Sequence, residues 1–134
     1  MRGPVLVVED NLPNRELLSD WLEAQGFDVC AVENLADAFA ALHAQSPCVV
    51  LLDVQLGRED GLSLASWMKQ QEHLQTIPVI AVTAHAMVTD HERVIRAGCS
   101  ACVSKPIDFK QLREQLSLWL SASDAFKRKV ASVN

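Results

Sequence analysis

The chain has 134 residues, 49% of them hydrophobic, which is the size of one compact domain and too short for a sensing domain joined to an actuating one. Seventeen acidic residues against twelve basic give a net charge of −5, which argues against nucleic acid or an anionic membrane as the main partner, since both need a basic face, and leaves a small molecule or a protein. No run approaches the ~20 apolar residues of a spanning helix, and MRGPVLVVED lacks a signal peptide's apolar core, so a cytoplasmic protein is expected.

Short solid apolar runs alternate with longer helical patterns. Pro4–Val8 reads as the first strand, followed by a helix that starts after Asn11, carries Pro13 in its first turn and stops at Gly26. Leu17, Leu18, Trp21 and Leu22 make the apolar face of this helix. Asp28–Val32 is the second strand, and Asn34 caps a second helix with Leu35, Ala38, Phe39 and Leu42 at helical spacing, closed before Ser46-Pro47. Val49–Leu52 is the third strand, Leu62 to Gln71 the third helix and Val79–Val82 the fourth strand. Thr89 to Ala97 forms a fourth helix stopped by Gly98, Ala101–Val103 is the fifth strand, and Asp108 caps a fifth helix striped by Phe109, Leu112, Leu116, Trp119 and Leu120. Beyond Ala122 the apolar pattern fades, so residues 1–122 are expected to form the domain and 123–134 a short tail without an output domain. Within that tail Lys127-Arg128-Lys129 beside Phe126 is too short for a polybasic membrane handle and reads as a frayed extension of the fifth helix.

Strands that lack period-2 alternation are buried on both faces, and regular strand–helix order implies right-handed crossovers; the expectation is a doubly wound α/β domain with a five-stranded parallel sheet and five helices. No GxGxxG or GxxxxGK[ST] follows any strand, which removes the main support for dinucleotide or P-loop nucleotide binding. Cys30, Cys48, Cys99 and Cys102 sit in or beside apolar runs and read as buried reduced thiols. Cys99-x-x-Cys102 has no second pair or neighbouring His to complete a zinc site.

In open parallel sheets the ligand crevice lies beyond the carboxyl ends of the strands. The first strand ends in Glu9-Asp10, the third in Asp53, the fourth in Thr83, and the fifth in Ser104-Lys105-Pro106. Three carboxylates converging at one end of a sheet repel one another, and a hard divalent cation, Mg²⁺ or Mn²⁺, is the simplest relief. A lysine and a hydroxyl beside them suit the oxygens of a phosphoryl group, for which an aspartate could be the acceptor. Each of these residues alone could be a helix cap or a solvated loop residue. Four strand ends that each deliver the right group for one phosphoryl site are hard to explain by capping.

VLVVEDN, LLDVQLGREDG, AVTA and VSKPID, from Val5 to Leu120, resemble a response-regulator receiver domain of the stand-alone type found in chemotaxis and cell-division signalling. The resemblance implies a flavodoxin-like sheet of order 2-1-3-4-5 and a two-component signalling role, with no enzymatic activity beyond the domain's own phosphorylation and dephosphorylation. It makes Asp53 the phosphate acceptor, served by a histidine kinase or a histidine phosphotransfer protein. Asp10 and Asp53 would hold Mg²⁺ directly, Gln55 through its backbone carbonyl and Glu9 through a metal-bound water. Lys105 would pair with Asp53 or the phosphoryl oxygens, Thr83 would swing its hydroxyl onto the phosphate, and the small Ala84 would leave it accessible. Lys105-Pro106 would be a cis peptide. Output would run to a protein target through the face made by the fourth helix, fifth strand and fifth helix, with the chain a monomer or weak dimer.

Three positions depart from or modulate that pattern. Cys102 stands where receivers usually carry Tyr or Phe, so the switch is expected to rely on Thr83 and the surface itself. Gly57 stands where the loop usually carries Pro, so the loop gains freedom, and its charges Arg58, Glu59 and Asp60 are expected to be solvated. His85, two residues after Thr83, would border the site and make phosphoryl lifetime pH-sensitive. His43, His73 and His91 show no ligand spacing. The alternatives are a phosphorelay intermediate, a degenerate receiver acting as an interaction module, and a haloacid-dehalogenase-like phosphatase. The last is disfavoured because its nucleophile belongs on the first strand in a DxD pattern, and Asp53-Val54-Gln55 lacks the second Asp.

Overall fold

The computed structural model describes residues 3–84 and 88–132, the side chains of 88–90 and 121–132 excepted. In chain order the elements are β1 (Val5–Val8), α1 (Leu12–Ala24), β2 (Val29–Val32), α2 (Leu35–Ala44), β3 (Val49–Asp53), β4 (Gln55–Leu56), β5 (Glu59–Asp60), α3 (Leu62–Lys69), β6 (Val79–Thr83), α4 (Val88–Arg96), β7 (Ala101–Ser104) and α5 (Phe109–Ser132). The main sheet is parallel throughout, in the order β2-β1-β3-β6-β7. With the small antiparallel hairpin β4–β5 set aside, this is the expected 2-1-3-4-5 order.

The unbroken apolar runs are explained by two cores, one on each face. Val5 and Val7 of β1 turn toward Leu18 and Leu22 of α1 and Leu112, Leu116 and Leu120 of α5. Leu6 and Val8 turn the other way, toward Leu35, Ala38 and Leu42 of α2, Leu64 and Met68 of α3, and Val94 of α4. Because successive side chains of a strand point to opposite faces, a strand covered twice is apolar on both, and β1, β3 and β6 are buried along their whole length, polar only at the Asp53 and Thr83 ends of the last two. The sheet edges β2 and β7 are only partly buried, since each lacks a neighbour on one side.

Caps fall where the side chains demand them. Asn11 Oδ1 accepts from the Asn14 N–H at 3.0 Å, Asn34 Oδ1 from the Asp37 N–H at 2.8 Å, and Asp108 Oδ1 from the Lys110 and Gln111 N–H groups at 3.0 and 3.3 Å. The expected stops at Gly26 and Gly98 both have positive φ.

Two expectations need correction. Leu17 does not share the buried face of α1 but is 54% exposed, because the helix covers the sheet along the stripe of Leu18, Trp21 and Leu22. Among the described residues no disulfide joins the four cysteines, yet only Cys99 is buried; Cys30, Cys48 and Cys102 are half-buried, the first and last because they lie on the edge strands. α5 runs on as helix to Ser132, past the point where the apolar pattern fades; the side chains of Phe126, Lys127, Arg128 and Lys129 lie outside the described residues.

Candidate functional site

Strand register brings the chemistry to one rim. Val8 pairs with Leu52, which sets Glu9 level with Asp53. Asp53 in turn pairs with Val82, so Thr83 is one residue further along the rim, and Thr83 pairs with Ser104, so Lys105 follows. The Lys105 N–H donates to the Thr83 carbonyl at 2.8 Å, and the Lys105–Pro106 peptide is cis.

Lys105 is the hub. Its Nζ donates to Asp53 Oδ2 at 3.0 Å and to both Glu9 carboxylate oxygens, at 3.3 and 3.4 Å. Glu9 and Asp53 are 2% and 5% exposed, whereas the lysine side chain is 22% exposed. The Gln55 N–H donates to Asp53 Oδ1 at 3.1 Å, so both oxygens of this carboxylate are held. Glu9 also accepts from Asn14 Nδ2 at 3.2 Å, and its carbonyl accepts from Arg15 Nη1 at 3.0 Å. Asp10 lies at the exposed lip, where Oδ2 accepts from the Gly57 N–H at 3.0 Å.

Behind Asp53 the loop doubles back closely. Gly61 donates its N–H to the Val54 carbonyl at 2.8 Å, and any Cβ at this position would collide with the Asp53 carbonyl oxygen and crowd that of Val54. The glycine is therefore a spatial requirement that lets α3 start directly against the acceptor strand. Glu59 and Asp60, expected to be merely solvated, are exposed but engaged: Glu59 Oε1 accepts from the Leu35 N–H at 3.3 Å and Asp60 Oδ1 from the Leu62 N–H at 3.0 Å. Glu59 thereby satisfies an amide at the α2 terminus.

The carboxylates of Glu9, Asp10 and Asp53 each bring an oxygen to within 4.8 Å of the others. Burial pushes the Glu9 carboxyl up first; a hydrogen bond with Asp53 and its negative charge add to that, while Lys105 and Asn14 oppose it, and the result rises from the ordinary 4.5 to about 7. Burial alone would lower the Lys105 ammonium, but the hydrogen bond and charge of Asp53, joined by Glu9, outweigh it and raise it. One lysine does not neutralise three acids. An oxygen-only donor set with surplus negative charge fits a hard divalent cation such as Mg²⁺.

A raised carboxyl has a defined pH consequence. Below 4.5 Glu9 is protonated in both the folded and unfolded chain and costs nothing; between 4.5 and about 7 the unfolded chain ionises it freely while the fold resists, so stability from this group is lost over that window. With a chelator present, the melting temperature of Glu9→Gln should therefore rise relative to wild type as pH goes from 4.5 to 7. A difference that stays flat with pH would contradict the cause given for Glu9.

Of the residues expected in the site, Glu9, Asp10, Asp53, Gln55 and Lys105 converge, Thr83 is buried at the adjoining strand end, and Ala84 is exposed next to it. Cys102 is half-buried against the core beneath α2, α3 and α4. His85 lies outside the described residues. Not foreseen were Asn14, Arg15, Gly57, Glu59 and Gly61. Asn14 was visible only as a polar residue one turn into α1, and the contact made by Gly57 is a backbone N–H that no residue pattern announces.

The chain matches the response regulator receiver domain over residues 5–117. It is 39% identical over 120 residues to a polar-differentiation response regulator, DivK, of Brucella anthropi, covering 90% of this chain and 98% of the relative. Among solved structures it is similar to the signal receiver domain of a signal transduction histidine kinase from Syntrophus aciditrophicus, with 32% identity, a TM-score of 0.81, and 90% of this chain and 91% of that one covered. It is also similar to the receiver domain of a sensor histidine kinase from Pseudomonas aeruginosa PAO1, a structure with a magnesium ion coordinated in its active site cleft; identity is 29%, the TM-score 0.81, and coverage 90% and 99%.

Proposed function

This chain belongs to the response regulator receiver domain family, and we propose that the phosphoryl group such domains accept in two-component signalling is carried here on Asp53. Receiver domains interact with histidine kinases and downstream targets and bind Mg²⁺ at their acidic site. The observation that carries the assignment is the buried Asp53 carboxylate held between the Lys105 ammonium and the Gln55 amide.

A carboxylate needs no general base to act as nucleophile near neutral pH, so the chemistry reduces to positioning and charge. One Asp53 oxygen attacks phosphorus of the donor's phosphohistidine; the O–P bond forms as the N–P bond breaks, and the released imidazole takes a proton from solvent. Lys105, within 3.0 Å of Asp53, turns its charge to the phosphoryl oxygens as they arrive. Asp10, Asp53 and the Gln55 carbonyl would hold Mg²⁺, with Glu9 acting through water, a reading supported by the acidic triad and by the magnesium in the Pseudomonas aeruginosa relative. When bound, the ion supplies positive charge that offsets the carboxylates and the phosphoryl oxygens. A cleft of about 290 Å³ lined by Asn14, Leu17, Lys105, Pro106 and Ile107 borders the lysine and gives a phosphohistidine-bearing partner room to approach.

Thr83 then closes onto the phosphoryl group. Its carbonyl is bonded to the Lys105 amide, so a shift at Thr83 is felt directly at the end of β7, and we assign output to the α4–β7–α5 face on that ground. Incubation with acetyl phosphate and Mg²⁺ should add one phosphoryl group per chain, labile to hydroxylamine as an acyl phosphate is, and a chelator should prevent it. A hydroxylamine-stable phosphate, or none, would rule the assignment out.

A further inference from the structure

The loop after Asp53 is a hairpin in which Gln55 pairs with Asp60 and Leu56 with Glu59, leaving Gly57 and Arg58 as a two-residue turn. Gly57 has φ +61, a left-handed conformation that glycine adopts freely and asparagine tolerates, and that proline, fixed near φ −65°, cannot enter. In that conformation its N–H meets Asp10 Oδ2 at 3.0 Å, a contact between residues 47 apart in sequence. Among the described residues no other hydrogen bond reaches the Asp10 carboxylate.

The hairpin does not depend on Asp10 for its own placement. Glu59 binds the α2 amide of Leu35, Asp60 the α3 amide of Leu62, and Gly61 the Val54 carbonyl. Its second strand is thus anchored to β3, α2 and α3 and holds the turn from below, while Asp10 sits exposed at the end of β1. The anchored partner orients the exposed one.

The geometry points to the Gly57 N–H as the positioning group of Asp10, which ties down one carboxylate oxygen and so presents the other to a divalent cation in a chosen rotamer. This rests on the reading of Asp10 as a metal ligand. Groups that orient metal ligands typically contribute ~10–100-fold in metal affinity. Proline at this position, the residue the resemblance led us to expect, would have no N–H to offer. The metal site of this chain is accordingly built in part from its loop backbone.

Two measurements test this without relying on phosphorylation. Calorimetric titration with Mg²⁺ should give a dissociation constant ~10–100-fold weaker in Gly57→Pro and within about threefold of wild type in Gly57→Asn, which keeps both the donor and the left-handed turn. In ¹⁵N-resolved proton spectra, Asp10→Ala should move the Gly57 amide proton upfield, a readout taken on protein that retains Gly57 and so is independent of whether the proline variant folds. Wild-type protein that fails to bind Mg²⁺, or binds it equally well as Asp10→Ala, would overturn the metal-site reading together with this inference. Asp10-dependent Mg²⁺ binding that is unchanged in Gly57→Pro, or a Gly57 amide unmoved by Asp10→Ala, would overturn the inference alone.

Discussion

Asp53→Asn should lose phosphoryl acceptance completely, to the level of a protein-free control, while folding as well as wild type or better. An amide is not a nucleophile toward phosphorus, and among the described residues no second carboxylate is held between Lys105 and a backbone amide as Asp53 is. The asparagine oxygen can still accept from Gln55, and Lys105, which loses its acceptor on this side chain, keeps Glu9 as its partner. Stability is the more discriminating readout. Asp53 raises the Glu9 carboxyl through both a hydrogen bond and its charge, and removing that charge relieves the crowding. Relief of ~1 kcal/mol corresponds to a rise of roughly 4 °C in melting temperature for a domain of this size. Mass spectrometry after incubation with acetyl phosphate and a calorimetric melt check both halves. A variant that still gains an acyl phosphate would move the acceptor elsewhere.

Lys105→Met carries the second large effect, and here stability and chemistry should fall together. The substitution leaves Glu9 and Asp53, both almost wholly buried, without the cation that contacts them at 3.0 to 3.4 Å. Removing one member of a fully buried pair costs ~3–5 kcal/mol. With the lysine 22% exposed and Glu9 able to keep a proton, about 2 kcal/mol is expected instead. The rate of phosphorylation should drop ~100–1000-fold, the usual effect of removing one preorganised charge from a transition state. Raising Mg²⁺ should restore the melting temperature without restoring the rate, because the acidic residues and the phosphoryl oxygens need positive charge in different places. Lys105→Arg should recover most of the stability and only part of the rate, since its planar fork does not place a compact charge at the same point. Equal recovery of both by Mg²⁺ would assign Lys105 a purely structural role.

Much of this site was legible before any coordinates. A strand that ends in an acid pair, another that ends in Asp53, and a Lys-Pro after the last apolar run are side-chain signals, and side chains are what a sequence displays. The supporting contacts were hidden for a physical reason: they are made by backbone groups. Gly57 reads as a freer loop residue, yet in the fold its amide holds Asp10. Gly61 carries no side chain to read at all, yet it is required by the closeness of the Asp53 carbonyl. Glu59 reads as a solvated charge and instead caps α2 from 24 residues away. Leu17 erred in the other direction: helical periodicity places it beside Leu18, but which flank of the apolar stripe is covered depends on how the helix lies across the sheet.

The order of apolar runs and breaks determined the alternation of strand and helix, the absence of polar alternation determined that the central strands are covered twice, and the residue at each strand end determined the chemistry available. These are properties of neighbours along the chain, where periodicity and steric preference act. The pairing register decided the rest. By setting Val8 against Leu52, Asp53 against Val82 and Thr83 against Ser104, it brought Glu9, Asp53 and Lys105 within hydrogen-bonding reach although 96 residues separate the first from the last. Only at that distance, away from bulk water, does a carboxyl hold its proton to about 7 and three acids become a place for a cation.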